Sequence, residues 1–323
     1  MVTAYLFDRT EGTKVDAWAE SFRDLTEDHV LWVNLVAPTH EEETEVREVF
    51  ELSGDSHFVG SNDGPSLDQH AGYLAVTAIA VSDEERDLDR EHVAVACFVG
   101  PNWVLTVHEA EIAVIDEFRE VASGEGELGG LDAPSFLAAL LEWVVGSYLR
   151  AFDEIEATLE DFDIEALSAP SRDPEAHIKM LIEARQRVGR LRRSLAPHRE
   201  VFASLSHSEF DPLSSEHSSE RFVELTNRLD SALASARDVK DAIASSFDVL
   251  IVRTEHRTNE IMKVLTIASI LLLPGALIAG ILGMNVDYSA GSFADSPIFW
   301  FTIIGIVLIA SVTLALARLR RWI

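Results

Sequence analysis

Apolar and polar positions change their rhythm twice along this chain. Over the first 110 residues the apolar positions fall in short runs of strand length, Val2–Phe7, Val30–Val36, Tyr73–Val81 and 92–107. The last is broken by Gly100-Pro101-Asn102, a turn signal that predicts a hairpin. Thr39, followed three positions later by Glu42, forms a capping-box pattern that opens a helix ending near Leu52. Residues 1–133 are therefore expected to form an α/β domain with a sheet. From Pro134 the spacing turns helical, over 136–167 and then 175–205, with a short polar break at 168–174. That break predicts an antiparallel pair within 134–218. The first helix ends in Asp153, Glu154, Glu156, Glu160, Asp161, Asp163 and Glu165; the second carries Arg185, Arg187, Arg190, Arg192, Arg193 and Arg199. Acid facing base is expected to hold the two together.

After a polar linker at 204–219, neither Gly nor Pro occurs until Pro274. One helix over 219–282, sixty-four residues, would be about 96 Å long. It starts as a stalk over 219–263, with a heptad seam of Phe222, Leu229, Ala236, Ile243 and Leu250 and with Leu225, Ala232 and Val239 between. It continues into 264–282, nineteen residues without a formal charge, and a second uncharged run of twenty follows at 298–317. Each run is about 28–30 Å long as a helix, the thickness of a bilayer's hydrocarbon core. The fold class is thus an α+β membrane protein: an α/β domain, a long stalk helix continuous with the first of two transmembrane helices, a loop at 283–297 and a basic tail at 318–323. Arg253, Arg257 and Lys263 precede the first span and Arg318, Arg320 and Arg321 follow the second, whereas the loop has Asp287 and Asp295 and no basic residue. The positive-inside bias then places both termini in the cytoplasm and the loop outside, in a multi-pass protein of the bacterial or archaeal plasma membrane.

A second stripe follows the long helix on another face: Asp238, Asp241, Ser245, Asp248, Val252, Glu255, Asn259, Met262, Thr266, Ser269, Leu273, Ala276, Gly280 and Gly283. No Lys or Arg falls on it, although Arg237, Lys240, Arg253, Arg257 and Lys263 are close in sequence. Several copies of this stripe around an axis would make a cation path with an acidic mouth. The competing reading is that Thr266, Ser269, Ala276 and Gly280 are small residues at a helix–helix contact. The carboxylates below the span favour the pore.

Charge narrows the partners. The net charge is −29, and residues from 263 onward contribute +2, which leaves −31 on the rest. Such a surface excludes nucleic acid and anionic lipid as partners and attracts cations; scarce Lys (four, beside twenty-two Arg) also fits plain solubility in a high-salt cytoplasm. The lone Cys97, in an apolar run, reads as a buried thiol in a reducing compartment. The eleven His have no convincing zinc spacing, and His198, His207 and His217, at or near the linker, are expected to be exposed. The Gly124–Gly130 run has no Lys and reads as a loop, not a nucleotide-binding one. No nucleophile–base set stands out, so an enzyme, and with it a catalytic cofactor, is not expected.

The block Asn259-Glu-Ile-Met-Lys-Val-Leu-Thr266, then Pro274, Ile278-Ala279-Gly280 and Gly283-Met284-Asn285, resembles the CorA family of divalent-cation transporters. Leu31-Trp32-Val33-Asn34-Leu35 before the capped helix, and Thr106-Val107-His108 ending the hairpin, extend the resemblance over nearly the whole chain. It implies a homopentamer in a lipid bilayer that carries Mg²⁺, with Co²⁺ and Ni²⁺, as cargo. It also implies a selectivity site of Gly283, Met284 and Asn285, with Asn285 holding the hydrated ion, and a pore lined by Asn259, Met262, Thr266, Ser269, Leu273, Ala276 and Gly280. Asp248 and Glu224 match positions where the family holds regulatory metal. Departures bear on the ion. No acidic Met-Pro-Glu segment follows the triplet, where Val286-Asp287-Tyr288-Ser289-Ala290-Gly291 stands instead. Leu282 replaces an aromatic before the triplet, and Leu273 and Ala276 replace a Met and a Thr common in the pore. The ZntB-type zinc transporters, coupled to protons, share the architecture and also lack the acidic segment. A rival of another class, a membrane-anchored coiled-coil scaffold or sensor, explains the long helix but not the intact triplet.

Overall fold

A computed structural model describes residues 1–323 except 9–11, 24, 27–28, 54–63, 83–91, 123–129, 169–173, 207–215, 284–296 and 320–323. The chain divides into two units, Met1–Ser246 and Phe247–Ile323.

The first unit is built on a seven-stranded sheet: β1 (Val2–Phe7), β2 (Gly12–Lys14), β3 (Val30–Val36), β4 (Ser66–His70), β5 (Tyr73–Val81), β6 (His92–Val99) and β7 (Trp103–His108), in the order β2-β1-β3-β7-β6-β5-β4. The central pair β3–β7 is parallel and the other pairs are antiparallel. All of β3 except Val36 is buried, because both faces of the sheet are covered there, and this is why it reads as a continuous apolar run. On one face Leu31, Val33, Leu35, Phe98, Trp103, Leu105 and Val107 pack with Val46 of the flanking helix α2 (His40–Val49), with Phe50 that caps its end, and with Trp18 and Phe22 of α1 (Trp18–Arg23). On the other, Trp32 meets Phe118 of α3 (Ala113–Ala122) and Phe136 of α4 (Ala133–Ser168). The predicted cap of α2 is present in both directions, Glu42 N–H to Thr39 Oγ1 at 3.3 Å and Thr39 N–H to Glu42 Oε2 at 2.8 Å. Asn34 and His108, distant in sequence, meet between the parallel strands: Asn34 Oδ1 accepts from Thr106 Oγ1 at 2.6 Å and lies 3.0 Å from His108 Nε2.

Four short elements were not foreseen. β2 and β4 are polar edge strands without alternation, and α1 and α3 are only 6 and 10 residues long. The helix expected over 175–205 is two, α5 (Pro174–Leu195) and α6 (His198–Leu205). Pro197 breaks it, since a proline has no N–H and its ring clashes with the carbonyl four residues back. The expectation for His198 is corrected: it is fully buried, and its Nε2 accepts the Ile79 N–H at 2.9 Å. The pairing of β4 with β5 stops at Thr77, so Ile79 and Val81 lie beyond it. His198, the Tyr148 hydroxyl donating to Ile79 O at 3.0 Å, and Ser147 Oγ accepting from Val81 N–H at 3.1 Å satisfy that open edge. His217 is exposed as expected, and His207 lies outside the described residues. Cys97 is buried, and loss of water pushes its thiol up to about 12.

α7 (Glu216–Gly283) is one helix of 68 residues. Every residue of its heptad seam is buried. Arg199 of α6 pairs with Asp230 at 3.3 Å, and Ser246 Oγ donates to Asp163 Oδ2 of α4 at 3.2 Å. Arg228 passes over Gly146 and, with Arg221, offsets the burial that raises the Glu142 carboxyl. Between α4 and α5 the acidic and basic runs meet at Arg187–Glu154, 3.4 Å. Arg185, Arg192 and Arg193 instead line a groove between α5 and α7.

The second unit holds the end of α7 and α8 (Pro297–Leu319). Ile267, Ala268, Leu271, Pro274, Gly275 and Ile278 of α7 are partly covered, as are Gly305, Ile306, Ala310 and Thr313 of α8. A Cβ on Gly275 would stand 3.6 Å from Ile306 Cγ2. The outer surfaces of α7 and α8 leave Leu265, Leu272, Leu277, Ile304, Val307 and Leu308 exposed, an apolar area that water does not favour and a bilayer does. α4 is also long and apolar enough to cross a membrane, but 72% of its apolar window is buried in the first unit, so it is that unit's core helix.

Candidate functional site

The side chains of interest lie on α7. With about 100° between successive residues, Ile267, Leu271, Pro274, Gly275 and Ile278 share one side of the helix and are partly covered, with Gly275 beside Ile306 of α8. Asn259, Met262, Thr266, Ser269, Leu273, Ala276 and Gly280 fall roughly opposite, and every one of them is exposed. So Thr266, Ser269, Ala276 and Gly280 are not the contact between α7 and α8. From Asn259 to Gly280 the stripe rises about 32 Å, the depth of a hydrocarbon core.

Its chemistry is graded. Asn259 supplies an amide, and Met262 a thioether. The Thr266 hydroxyl gives its proton to Met262 O at 2.7 Å, which leaves its oxygen lone pairs free to accept. A shallow pocket is lined by His256, Asn259, Met262, Lys263 and Thr266, and His256 Nδ1 lies 3.8 Å from Glu260. Above Thr266 only Ser269 is polar, and Leu273 is the bulkiest side chain. Pro274 donates no N–H, so the carbonyl of Ile270 has no partner four residues on.

Nearer the N-terminus of α7, Asp238, Asp241, Ser245, Asp248 and Glu255 are exposed on the helix. Asp248 and Glu224 are both exposed and are twenty-four residues apart on one helix, roughly 36 Å of helical rise. One ion cannot touch both. Among the described residues no group of three or more His, Cys, Asp or Glu is arranged to hold a metal. Gly283 is the last residue of α7. Met284 and Asn285 lie outside the described residues.

A sheet-bearing unit, a 68-residue helix and a second apolar helix make a recognisable whole. The family model for the CorA-like Mg²⁺ transporter protein matches residues 27–321. The chain belongs to that family. Members are ion transporters, not enzymes, and they work in membranes. The cobalt/magnesium transport protein CorA of Thermotoga maritima is 24% identical over 225 residues, 69% of this chain and 63% of that protein, so the match spans just under two thirds of its length. The CorA of Methanocaldococcus jannaschii is 22% identical over 94% of this chain and 93% of its own. Its complete structure superposes with a TM-score of 0.75 at 21% identity, covering 100% of this chain and 99% of that one. The zinc transport protein ZntB of Pectobacterium carotovorum is 23% identical over 72% of this chain and 68% of that protein. Proteins similar to this chain are thus named for different ions.

Proposed function

We propose that this CorA-family protein carries Mg²⁺, with Co²⁺ and Ni²⁺, down the membrane potential through a homopentameric pore lined by α7. The observation that carries the reading is the uniformly exposed stripe from Asn259 to Gly280, free of basic residues and turned away from α8. Copies of α7 around an axis would bring these side chains together, with α8 outside facing lipid. Mg²⁺ gives up its water reluctantly, so neutral oxygen donors that hold it through its hydration shell suit it better than carboxylates that strip the shell. Asn285, with the backbone of Gly283 and Met284, is assigned that role at the outer end, and Asn259 and Thr266 repeat the chemistry further along. Leu273 is the apolar constriction. A divalent ion moving inward gains about 4.6 kcal/mol per 100 mV, enough for more than a thousandfold accumulation without ATP.

Cytoplasmic metal at Asp248, and separately at Glu224, is proposed to regulate the pore. Because each carboxylate stands without two companions among the described residues, its ion would be shared with a second copy, bridging subunits and holding the pore shut. A second reading, zinc carried with protons, draws on the missing acidic segment after Asn285 and on the zinc-named relative.

Flux into proteoliposomes separates these readings. Mg²⁺, Co²⁺, Ni²⁺ and Zn²⁺ are compared with and without an inside-negative potential, with Asn285→Ala as control. Potential-driven Mg²⁺ entry that the substitution abolishes is expected. Zn²⁺ entry following a proton gradient would move the protein to the zinc branch, and no flux of any ion from an assembled oligomer would leave the scaffold.

A further inference from the structure

The first unit contains a feature that cation conduction does not use. Between α5 and α7 runs a groove of about 1160 Å³, lined by Arg185, Arg190, Arg192, Arg193, Arg237 and Lys240. Asp241 is its one acidic lining residue. The rest of the lining is Ile182, Gln186, Val188, Gly189, Ala196 and Ala236. In a chain with 55 acidic and 26 basic residues, six cations around one acid are far from the average surface. Arg187 of α5 is paired with Glu154, and Arg199 of α6 with Asp230. Arg185, Arg192, Arg193, Arg237 and Lys240 have no carboxylate partner among the described residues. Like charges gathered on two facing helices repel, and an anion between them reverses the sign of that interaction.

We infer that this groove binds a phosphate-bearing polyanion, a nucleoside triphosphate or a free polyphosphate chain. Five of the six cations are Arg, whose planar fork meets two phosphate oxygens at once. They come from both walls, so a chain of several phosphates engages more of them than one small anion can. From Ile182 to Arg193 the α5 wall rises about 17 Å, the length scale of an extended nucleoside triphosphate. Gly189 leaves this part of the lining without a side chain; a Cβ there would make only an ordinary contact, 3.5 Å, with Arg193 Nη1. No aromatic side chain lines the groove, so the phosphates rather than a base supply the recognition.

The test is direct binding to the full-length protein in detergent, in divalent-free buffer at constant ionic strength, with tripolyphosphate, ATP and sulfate as probes. Saturable binding of tripolyphosphate, with sulfate far weaker, is expected, together with a rise in the thermal midpoint as the anion ties α5 to α7. ATP binding equally well would mark the phosphate chain as the recognised part, and tighter ATP binding would add the nucleoside. Arg192→Ala with Arg237→Ala should weaken binding about tenfold or more, the loss of charge-assisted hydrogen bonds from each wall. Arg187→Ala, outside the groove, should leave it unchanged. Binding that sulfate matches at equal ionic strength, or that survives the double substitution, would overturn the site. So would a double variant that binds no less but falls apart as an oligomer, which would make the groove a contact between copies of this chain. None of these readouts depends on ion flux.

Discussion

At the scale of single residues, His198 shows how far a side chain's role can lie from its place in sequence. It follows Pro197 in a basic, polar stretch, and a fold 119 residues upstream gives it its function, the capping of Ile79 N–H. Burial, only partly opposed by hydrogen bonds to the backbone of Leu195 and Ser194, lowers its pKa from 6.5 to about 4. The unfolded chain therefore takes up a proton that the folded chain refuses. The stabilisation is intact above pH 6.5 and is lost as pH falls from there towards 4, to a total of about 3 kcal/mol. The expected outcome is a fall in stability over that window that is shallower in His198→Gln, which still accepts the hydrogen bond but does not titrate. Denaturant midpoints of the two proteins, compared at pH 7 and pH 5, check this; parallel curves would refute it.

At the scale of elements, α7 carries two patterns that serve different neighbours. The seam at Phe222, Leu225, Leu229, Ala232, Ala236, Val239, Ile243 and Leu250 is buried within one chain. Its heptad spacing was legible in sequence because packing of one helix on others requires that period. Leu229→Ala opens a cavity at a fully buried site and should cost about 2–5 kcal/mol, readable as a lower thermal midpoint with unchanged ion selectivity. From Asn259 to Gly280 the stripe is exposed. Thr266→Lys places an ammonium group on it and should cut cation flux by at least about tenfold. Leu265→Ala, one residue round the helix, should leave flux near the unsubstituted value. Equal flux from Thr266→Lys would mean the stripe faces no ion path.

At the scale of the whole molecule, a charge of −29 is unevenly used. The carboxylates of α7 that face solvent, Asp248 among them, form no metal cluster within the described chain. Regulation by metal is therefore a prediction about the assembled protein. Asp248→Ala channels are expected to stay open at internal Mg²⁺ that closes the unsubstituted channel, because the ion would then lack the carboxylate through which it is proposed to bridge the copies. Flux measured against rising internal Mg²⁺ decides it, and unaltered closure would remove Asp248 from the regulatory site.

Whatever depends on local periodicity can be read from the chain alone. Strands β1, β3 and β5, the hairpin at Gly100-Pro101-Asn102, the capping box of Thr39 and Glu42, and the uncharged runs all follow from spacing and turn chemistry that neighbouring residues dictate. The exposed stripe was also legible, since a helix sorts its faces by residue number alone. Tertiary structure decided the rest. Polar edge strands such as β4 have no pattern of their own and form because β5 offers them hydrogen bonds. The burial of His198, the meeting of Asn34 with His108 and the gathering of Arg192 and Arg237 into one groove join residues far apart in the chain. Periodicity says which face of an element is apolar or charged. It does not say which other element that face will meet, and only the packed fold supplies the partner.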